Sequence, residues 1–524
     1  MFDLIIKNGT IVNGQRRPFR ADVGLRAGRI AALGSLPAQA TTVLDAAGCC
    51  VTPGFIDMHG HGDFVFTHRK PSLEKISQGV TTEVIGNCGI SGAPYSPASY
   101  DFIREYFPIV GRKGACPHWY TWPRYLKVLR ASPLTTNVVP LVGHGNLRTL
   151  VMGSANRPAR PAEMRRMCRV LSTLMEQGCP GFSSGLIYSP GIFTPPEELL
   201  LLAETAARYG GLYTSHIRGE GITVEEAVTE CLTVAEKTGL STEISHMKTA
   251  GPDNWSKTAG LIRRLTRKRE QGVDINFDQY PYTASSTTAV VLLPPWMREG
   301  GISATIRRLK DPADCRRAAA DIRKGLPGWE NYARSVGWRK IIINQVGSTD
   351  NRWMEGLDLE AIARRLGQDP ITVLIQTFRK ENGAVNMITH TMSEDSVQAF
   401  LKQDFGFIGT DGLSGRRPHP RLMGSFGRVL RRYVHETKLL TLTQAVHKMS
   451  SGPARKLGLS DRGEIARGKV ADVTIFDPMT VRDNATYRDP NLPASGFKAV
   501  IVNGKIVMLD GRYTGATAGQ VLLR

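Results

Sequence analysis

Leu212-Tyr-Thr-Ser-His216, a helical run over Thr223–Lys237, and then Thr242-Glu-Ile-Ser-His246 form the stretch that decides the fold. Two short apolar runs, each ending in Ser-His, flank a segment of helical periodicity, so the unit reads strand, helix, strand. The same rhythm extends outward in both directions. Strand candidates are Phe55–His59, Val80–Ile85, Asn137–Val142, Gly181–Leu186, Val273–Phe277, Asn386–Thr391 and Phe405–Thr410, and a further helical pattern covers Pro196–Tyr209. Such alternation makes parallel strands with helical crossovers, and its length predicts an α/β fold closed as a (β/α)8 barrel. With the two Ser-His strands, nine candidates compete for eight places, so either the Val273 or the Asn386 run is extra. The rhythm breaks at 284–348, where Leu293-Pro-Pro-Trp296 and a basic helical stretch predict an inserted lid subdomain.

Both chain ends have a different texture. Leu4-Ile-Ile6, Asn8-Gly9, Ile11-Val12 and Asn13-Gly14 read as an antiparallel meander. Ala471–Phe476, Ala499–Val502 with Asn503-Gly504, and Lys505–Val507 repeat that pattern at the far end. Each end is too small for a core of its own, which predicts one β-sandwich from residues 1–53 with 415–524, around a barrel of 54–414.

Composition excludes several classes. The 524 residues carry a formal charge of +20, but the basic residues are scattered, with only short knots such as Arg263-Arg264-Leu-Thr-Arg267-Lys268-Arg269. Nucleic-acid binding needs them gathered on one face, so no nucleic-acid partner is expected; attraction of an anionic small molecule is the milder consequence. No apolar run reaches the roughly 18–20 residues that span a bilayer. The start Met1-Phe-Asp-Leu-Ile-Ile-Lys7 lacks the features of a secretory signal, so a cytoplasmic protein is expected. Eight irregularly spaced cysteines without a CxxC pair argue against a disulfide framework.

Chemistry-bearing residues fall at strand ends. The first barrel strand runs into Asp57-Met-His59-Gly-His61-Gly-Asp63, with two histidines spaced to point the same way at the C-terminal mouth, where barrel enzymes keep their sites. His216 and His246 end strands one βα unit apart, and imidazole is a common zinc ligand. Cys88, after the second strand in Gly86-Asn-Cys-Gly89, supplies an anionic donor. Asp411, in Thr410-Asp411-Gly412 after the last strand, is placed to act as general base.

These residues resemble the amidohydrolase superfamily and, within it, the N-acyl-D-amino-acid deacylase family. The resemblance spans almost the whole sequence: Val51–Asp57, Gly86–Gly89, Gly185-Leu-Ile-Tyr188-Ser-Pro-Gly191, Ser215–Arg218, Ser245–Lys248, Tyr280-Pro-Tyr282-Thr and His419-Pro-Arg421. It implies one tightly held Zn2+ on Cys88, His216 and His246, and a second, weak or empty position at His59 and His61. It also implies Asp411 as catalytic acid/base and an N-acyl-D-amino acid as substrate, with Tyr188, Lys248, Tyr282 and Arg218 as substrate-binding residues. Lys248 would meet the substrate carboxylate; Arg218 would do the same or orient Asp411. His390, near a strand end, is a further candidate to polarise the carbonyl. The sequence departs from the family in the glycines of His-Gly-His-Gly and in Thr410, where serine is common. The rival reading is a cyclic amidase of hydantoinase or dihydroorotase type, which bridges two metals with a strand-4 lysine; Gly181-Phe-Ser-Ser-Gly-Leu186 has none. A non-catalytic basic binding protein is a more distant alternative.

Overall fold

The computed structural model describes residues 1–68, 70–99, 102 and 119–524. Eight parallel strands form the barrel: β1 (Phe55–Asp57), β2 (Val80–Ile85), β3 (Asn137–Pro140, continued by Val142–Gly143), β4 (Gly181–Gly185), β5 (Leu212–His216), β6 (Ser241–Ile244), β7 (Ile275–Gln279) and β8 (Gly406–Ile408). Each pairs in parallel with the next. The seam between β8 and β1 is closed by the Met58 N–H on the Ile408 carbonyl (3.3 Å), the Asp411 N–H on the His59 carbonyl (2.7 Å) and a parallel bridge from Gly60 to Gly412. Residues of these strands are buried on both faces because helices such as Pro196–Ala207, Val224–Thr238 and Thr258–Glu270 cover the outside.

Of the two competing strands, Val273–Phe277 overlaps β7 and the Asn386 run is the extra one. It forms Val385–Thr389, the centre of an antiparallel sheet between Ser285–Thr288 and Ile341–Val346. This inserted layer therefore reaches beyond residue 348. It has its own core of Ile341, Ile343, Val346, Leu374, Phe378, Val385 and Met387. That core is continuous with Phe64, Cys88, Ile187 and Tyr188, so the layer packs over the barrel mouth.

At the ends, a four-stranded sheet made only of N-terminal strands faces a seven-stranded sheet drawn from both termini. Ile6, Val23, Ile30, Val51, Val473, Ile475 and Ile501 fill the space between. Val473–Phe476 pairs antiparallel with Cys50–Pro53, immediately before β1, and the Gly54 N–H bonds the Asp472 carbonyl (2.8 Å), so the sandwich fixes where β1 enters the barrel. Two expectations are corrected here. Phe2–Lys7 and Thr10–Ile11 are not neighbours in a meander: they lie in different sheets, and Phe2–Lys7 runs parallel to Ala40–Asp45. Asn8 makes the switch at φ 63°, with its backbone N–H on Asp22 (3.0 Å) and its side-chain amide on Asp45 (2.9 Å). Similarly, Arg421–Lys456 is largely helical rather than part of the sandwich, because Phe426, Val429, Tyr433 and Met449 bury against Phe55, Val80 and Ile408 of the barrel. Among the described residues, no helix is long and apolar enough to cross a membrane.

Candidate metal centre

Cys88 stands at the tip of the loop after β2, in a left-handed conformation (φ 54°) that a cysteine adopts only under constraint. Four groups supply it. The Asp63 carboxylate accepts the N–H of Gly86 (3.1 Å) and of Gly92 (3.2 Å). Asn87 donates its amide to the Val84 carbonyl (3.1 Å) and accepts the Thr214 hydroxyl from β5 (3.1 Å). Ser183 on β4 donates to the Gly86 carbonyl (2.5 Å) and accepts the Gly89 N–H (2.9 Å). Gly185 lets the loop lie against β4, since a Cβ there would fall 2.0 Å from the Cys88 carbonyl oxygen. The end of β4, where the rival reading needs a lysine, is thus filled by the cysteine loop. Gly185→Ala is expected to leave a folded protein with zinc affinity reduced at least ~10-fold, because the loop must retreat from the histidines. Isothermal titration of the metal-stripped protein measures it, and unchanged affinity would remove the loop-positioning argument.

The other donors converge on the thiol. Cys88 Sγ lies 3.2 Å from His59 Nε2, 3.6 Å from His216 Nδ1 and 3.5 Å from His246 Nε2, and His61 Nε2 lies 3.1 Å from Asp411 Oδ1. Two groups result, Cys88 with His216 and His246, and Cys88 with His59, His61 and Asp411; in each, the ligand atoms lie within 4.8 Å of one another. Burial alone would raise the thiol's pKa, but His59, His246 and His216 outweigh it and hold the group well below its ordinary value. By contrast, burial pushes the Cys50 and Cys179 thiols up to about 12. A thiolate ringed by buried imidazoles is an N/S donor set that suits zinc.

Asp411, also left-handed at φ 48°, is tied on both sides. Its Oδ2 meets Arg421 Nη1 at 2.8 Å. Burial opposes ionisation, yet Arg421, His246 and His61 hold the carboxyl well below its usual range. Its neighbour Thr410 gives its backbone N–H (2.8 Å) and hydroxyl (2.7 Å) to Asp57, which also binds Lys75 (2.5 Å), so the β8 end carrying Asp411 is locked to the β1 end carrying the histidines. Gly60 has a steric cause: a Cβ there would sit 2.1 Å from Glu83 Oε1, which accepts the Gly62 N–H.

The four substrate-binding expectations fare differently. Tyr188 lies beside the centre, its ring 4.9 Å from that of His216 and its hydroxyl 3.0 Å from Thr287 of the inserted sheet. Lys248 is close but buried, its ammonium paired with Glu220 and 2.8 Å from His246 Nδ1. Tyr282 points toward the helix that follows β8, packing edge-on against His419 and beneath Arg428. Arg218 does not reach Asp411. It forms a two-pronged pair with Glu230 (3.0 and 2.9 Å) and donates to the Ile192 and Thr194 carbonyls, because the facing helix offers a carboxylate nearer than the mouth does. His390 packs against Tyr487 beside the inserted sheet, 5.3 Å between ring centres. Residues that sequence reasoning left without a role are Glu220, Asp278, Tyr280 and Arg421. Arg421 was visible in His419-Pro-Arg421, and its guanidinium lies 4.4 Å over the Tyr280 ring. Asp278 was hidden by its place in an ordinary-looking strand.

A family model described as the amidohydrolase family matches residues 42–508. N-acyl-D-glutamate deacylase of Alcaligenes xylosoxydans xylosoxydans is 41% identical over 96% of this protein and 93% of its own length. The crystal structure of N-acyl-D-glutamate deacylase from Bordetella bronchiseptica, complexed with zinc and a phosphonate mimic of the tetrahedral intermediate, superposes with a TM-score of 0.83 at 37% identity and full coverage of both proteins. A D-aminoacylase with a binuclear metal centre, described as activated by one metal and attenuated by a second, matches over the full length of both with a TM-score of 0.83 at 32% identity.

Proposed function

Since the protein belongs to the amidohydrolase family, we propose that it hydrolyses the amide bond of N-acyl-D-amino acids with zinc, releasing a carboxylate and a free D-amino acid. The observation that carries the reading is Cys88 at the focus of His59, His216 and His246, in a barrel whose fourth strand offers no lysine. In this reading Cys88, His216 and His246 hold the metal tightly, and His59 and His61 form the second, weaker position.

Zinc, when bound, supplies Lewis acidity that polarises an acyl carbonyl and makes water a competent nucleophile near neutral pH. Asp411 does the proton transfers. Arg421 anchors Oδ2, leaving Oδ1 on the side of His61 and His59 to accept a proton from the attacking water. Once the acyl carbon is tetrahedral, the same oxygen returns the proton to the amide nitrogen, the carbon–nitrogen bond breaks and the amine leaves. Arg421 and the buried histidines keep Asp411 ionised before water is engaged, which is the form a base requires. Tyr188 and the inserted layer limit the water in the mouth.

The test is a hydrolysis panel run on purified protein with zinc counted per protomer: N-acetyl-D- and N-acetyl-L-amino acids, hydantoin and dihydroorotate. Turnover of the linear N-acetyl-D substrates, at least ~100-fold above their L counterparts and above both rings, is the expected result. Preferential ring opening would replace this reading with the cyclic-amidase one, and absence of both zinc and turnover would favour a binding protein.

A further inference from the structure

We infer that two buried carboxylates behind the histidines, Glu220 and Asp278, each govern one of the two metal positions. The inference rests on the reading of the Cys88 cluster as a metal centre. Glu220 follows β5 by one short turn and is 5% exposed. Its Oε1 lies 3.0 Å from His246 Nδ1 and 3.7 Å from His216 Nε2. The opposite nitrogens of those same rings face Cys88 Sγ, at 3.5 Å and 3.6 Å. One carboxylate oxygen therefore stands directly behind His246 and faces the outer nitrogen of His216 from beyond hydrogen-bond distance. Asp278, at the end of β7, repeats the arrangement for the other group. Its Oδ2 lies 3.2 Å from His59 Nδ1, while His59 Nε2 faces Cys88 Sγ at 3.2 Å.

The tautomers follow from hydrogen-bond inventory. An imidazole that gives one nitrogen's lone pair to a cation carries its proton on the other, and that N–H needs an acceptor. Lys248 Nζ lies 2.8 Å from His246 Nδ1 and can only donate. With no cation bound, the ammonium donates to Nδ1; a cation on Nε2 requires the ring proton at Nδ1 instead, and the Glu220 oxygen, 3.0 Å from Nδ1 and paired with Lys248, is the acceptor placed to take it. The Lys248 ammonium in turn holds the carboxylate in place, which assigns this lysine a positioning role. Asp278 makes one additional contact, accepting the His246 backbone N–H (3.0 Å) at a residue held at φ 36°, so it sets where that loop turns as well as how His59 is oriented. Glu220 lies in the loop after β5 and Asp278 on β7, and they face different ring nitrogens; asparagine at 278 keeps an oxygen to accept the His246 backbone N–H, so Asp278→Asn weakens the support of His59 alone.

Glu220→Gln and Asp278→Asn keep side-chain size and lose the charge. Each full-length variant is stripped of metal and titrated with zinc against a competing chelator, and Co2+ loading reports the thiolate through its charge-transfer absorption. Glu220→Gln is expected to weaken the first, tighter equivalent about 10–100-fold. Asp278→Asn is expected to leave that equivalent within ~3-fold of wild type and to weaken the second. If the wild type takes one equivalent only, Glu220→Gln must weaken it and Asp278→Asn must not. Glu220→Asp, which retains the charge on a shorter arm, should recover part of the loss, an outcome that a lost packing contact would not give. Equal effects of both variants on the same equivalent, or wild-type affinity in Glu220→Gln, would overturn the inference. A wild-type protein that binds no zinc would instead sink the metal centre itself.

Discussion

Asp411→Asn is expected to lower kcat/KM by about 10³-fold, within the roughly 10²–10⁴-fold range for loss of a general acid–base group, while one zinc per protomer remains bound. The substitution is nearly isosteric and preserves an acceptor for Arg421 at Oδ2, where the carboxylate now sits 2.8 Å away. It removes the only feature the proposed mechanism uses, an oxygen that can gain a proton and give it back. Because the proton is moved at both the attack and the breakdown of the tetrahedral carbon, kcat should fall together with kcat/KM and KM should change little. The tight ligand set of Cys88, His216 and His246 does not include Asp411, so metal content is the internal control. Wild-type turnover in the variant would remove Asp411 from the chemistry. Loss of zinc alongside activity would recast it as a ligand.

How much of this was legible beforehand depended on whether the signal was local. His216 and His246 were readable because each closes an apolar strand in the same Ser-His context, and their strands do pair as neighbours, from Leu212↔Ser241 to Ser215↔Ile244. The ninth strand was ambiguous for a physical reason. Val385–Thr389 is a short buried run like those of the barrel, and nothing within it records that its partners run antiparallel. The N-terminal meander failed similarly: Asn8-Gly9 is a good hairpin signal, but Asn8 also suits a left-handed turn between sheets, and the partners that choose, Asp22 and Asp45, lie well along the sequence. The partner of Arg218 was not legible, because Glu230 lies on the following helix and the pairing is set by packing. Glu220 and Asp278 act only through what stands in front of them, so spacing could not single them out.

Cys88→Ser tests the claim on which the chemistry rests, and its expected effect on the metal is the largest. Cys88 is the one residue common to both ligand groups, so its loss removes an anionic donor from both positions at once. A serine hydroxyl fills nearly the same space but stays protonated near neutral pH and is a far weaker partner for zinc than a thiolate. Zinc affinity should fall by more than ~100-fold, beyond what removing a carboxylate behind a histidine costs, and hydrolysis should vanish with it. The cluster also loses one of the two charges, Asp278 and Cys88, that against burial hold His59 well above its ordinary pKa. Cys88→Gly separates ligation from folding. Glycine accepts φ 54° without strain, so that variant should be at least as resistant to heat as Cys88→Ser, yet equally poor in zinc. A serine or glycine variant that keeps wild-type zinc affinity would show the metal to be held elsewhere.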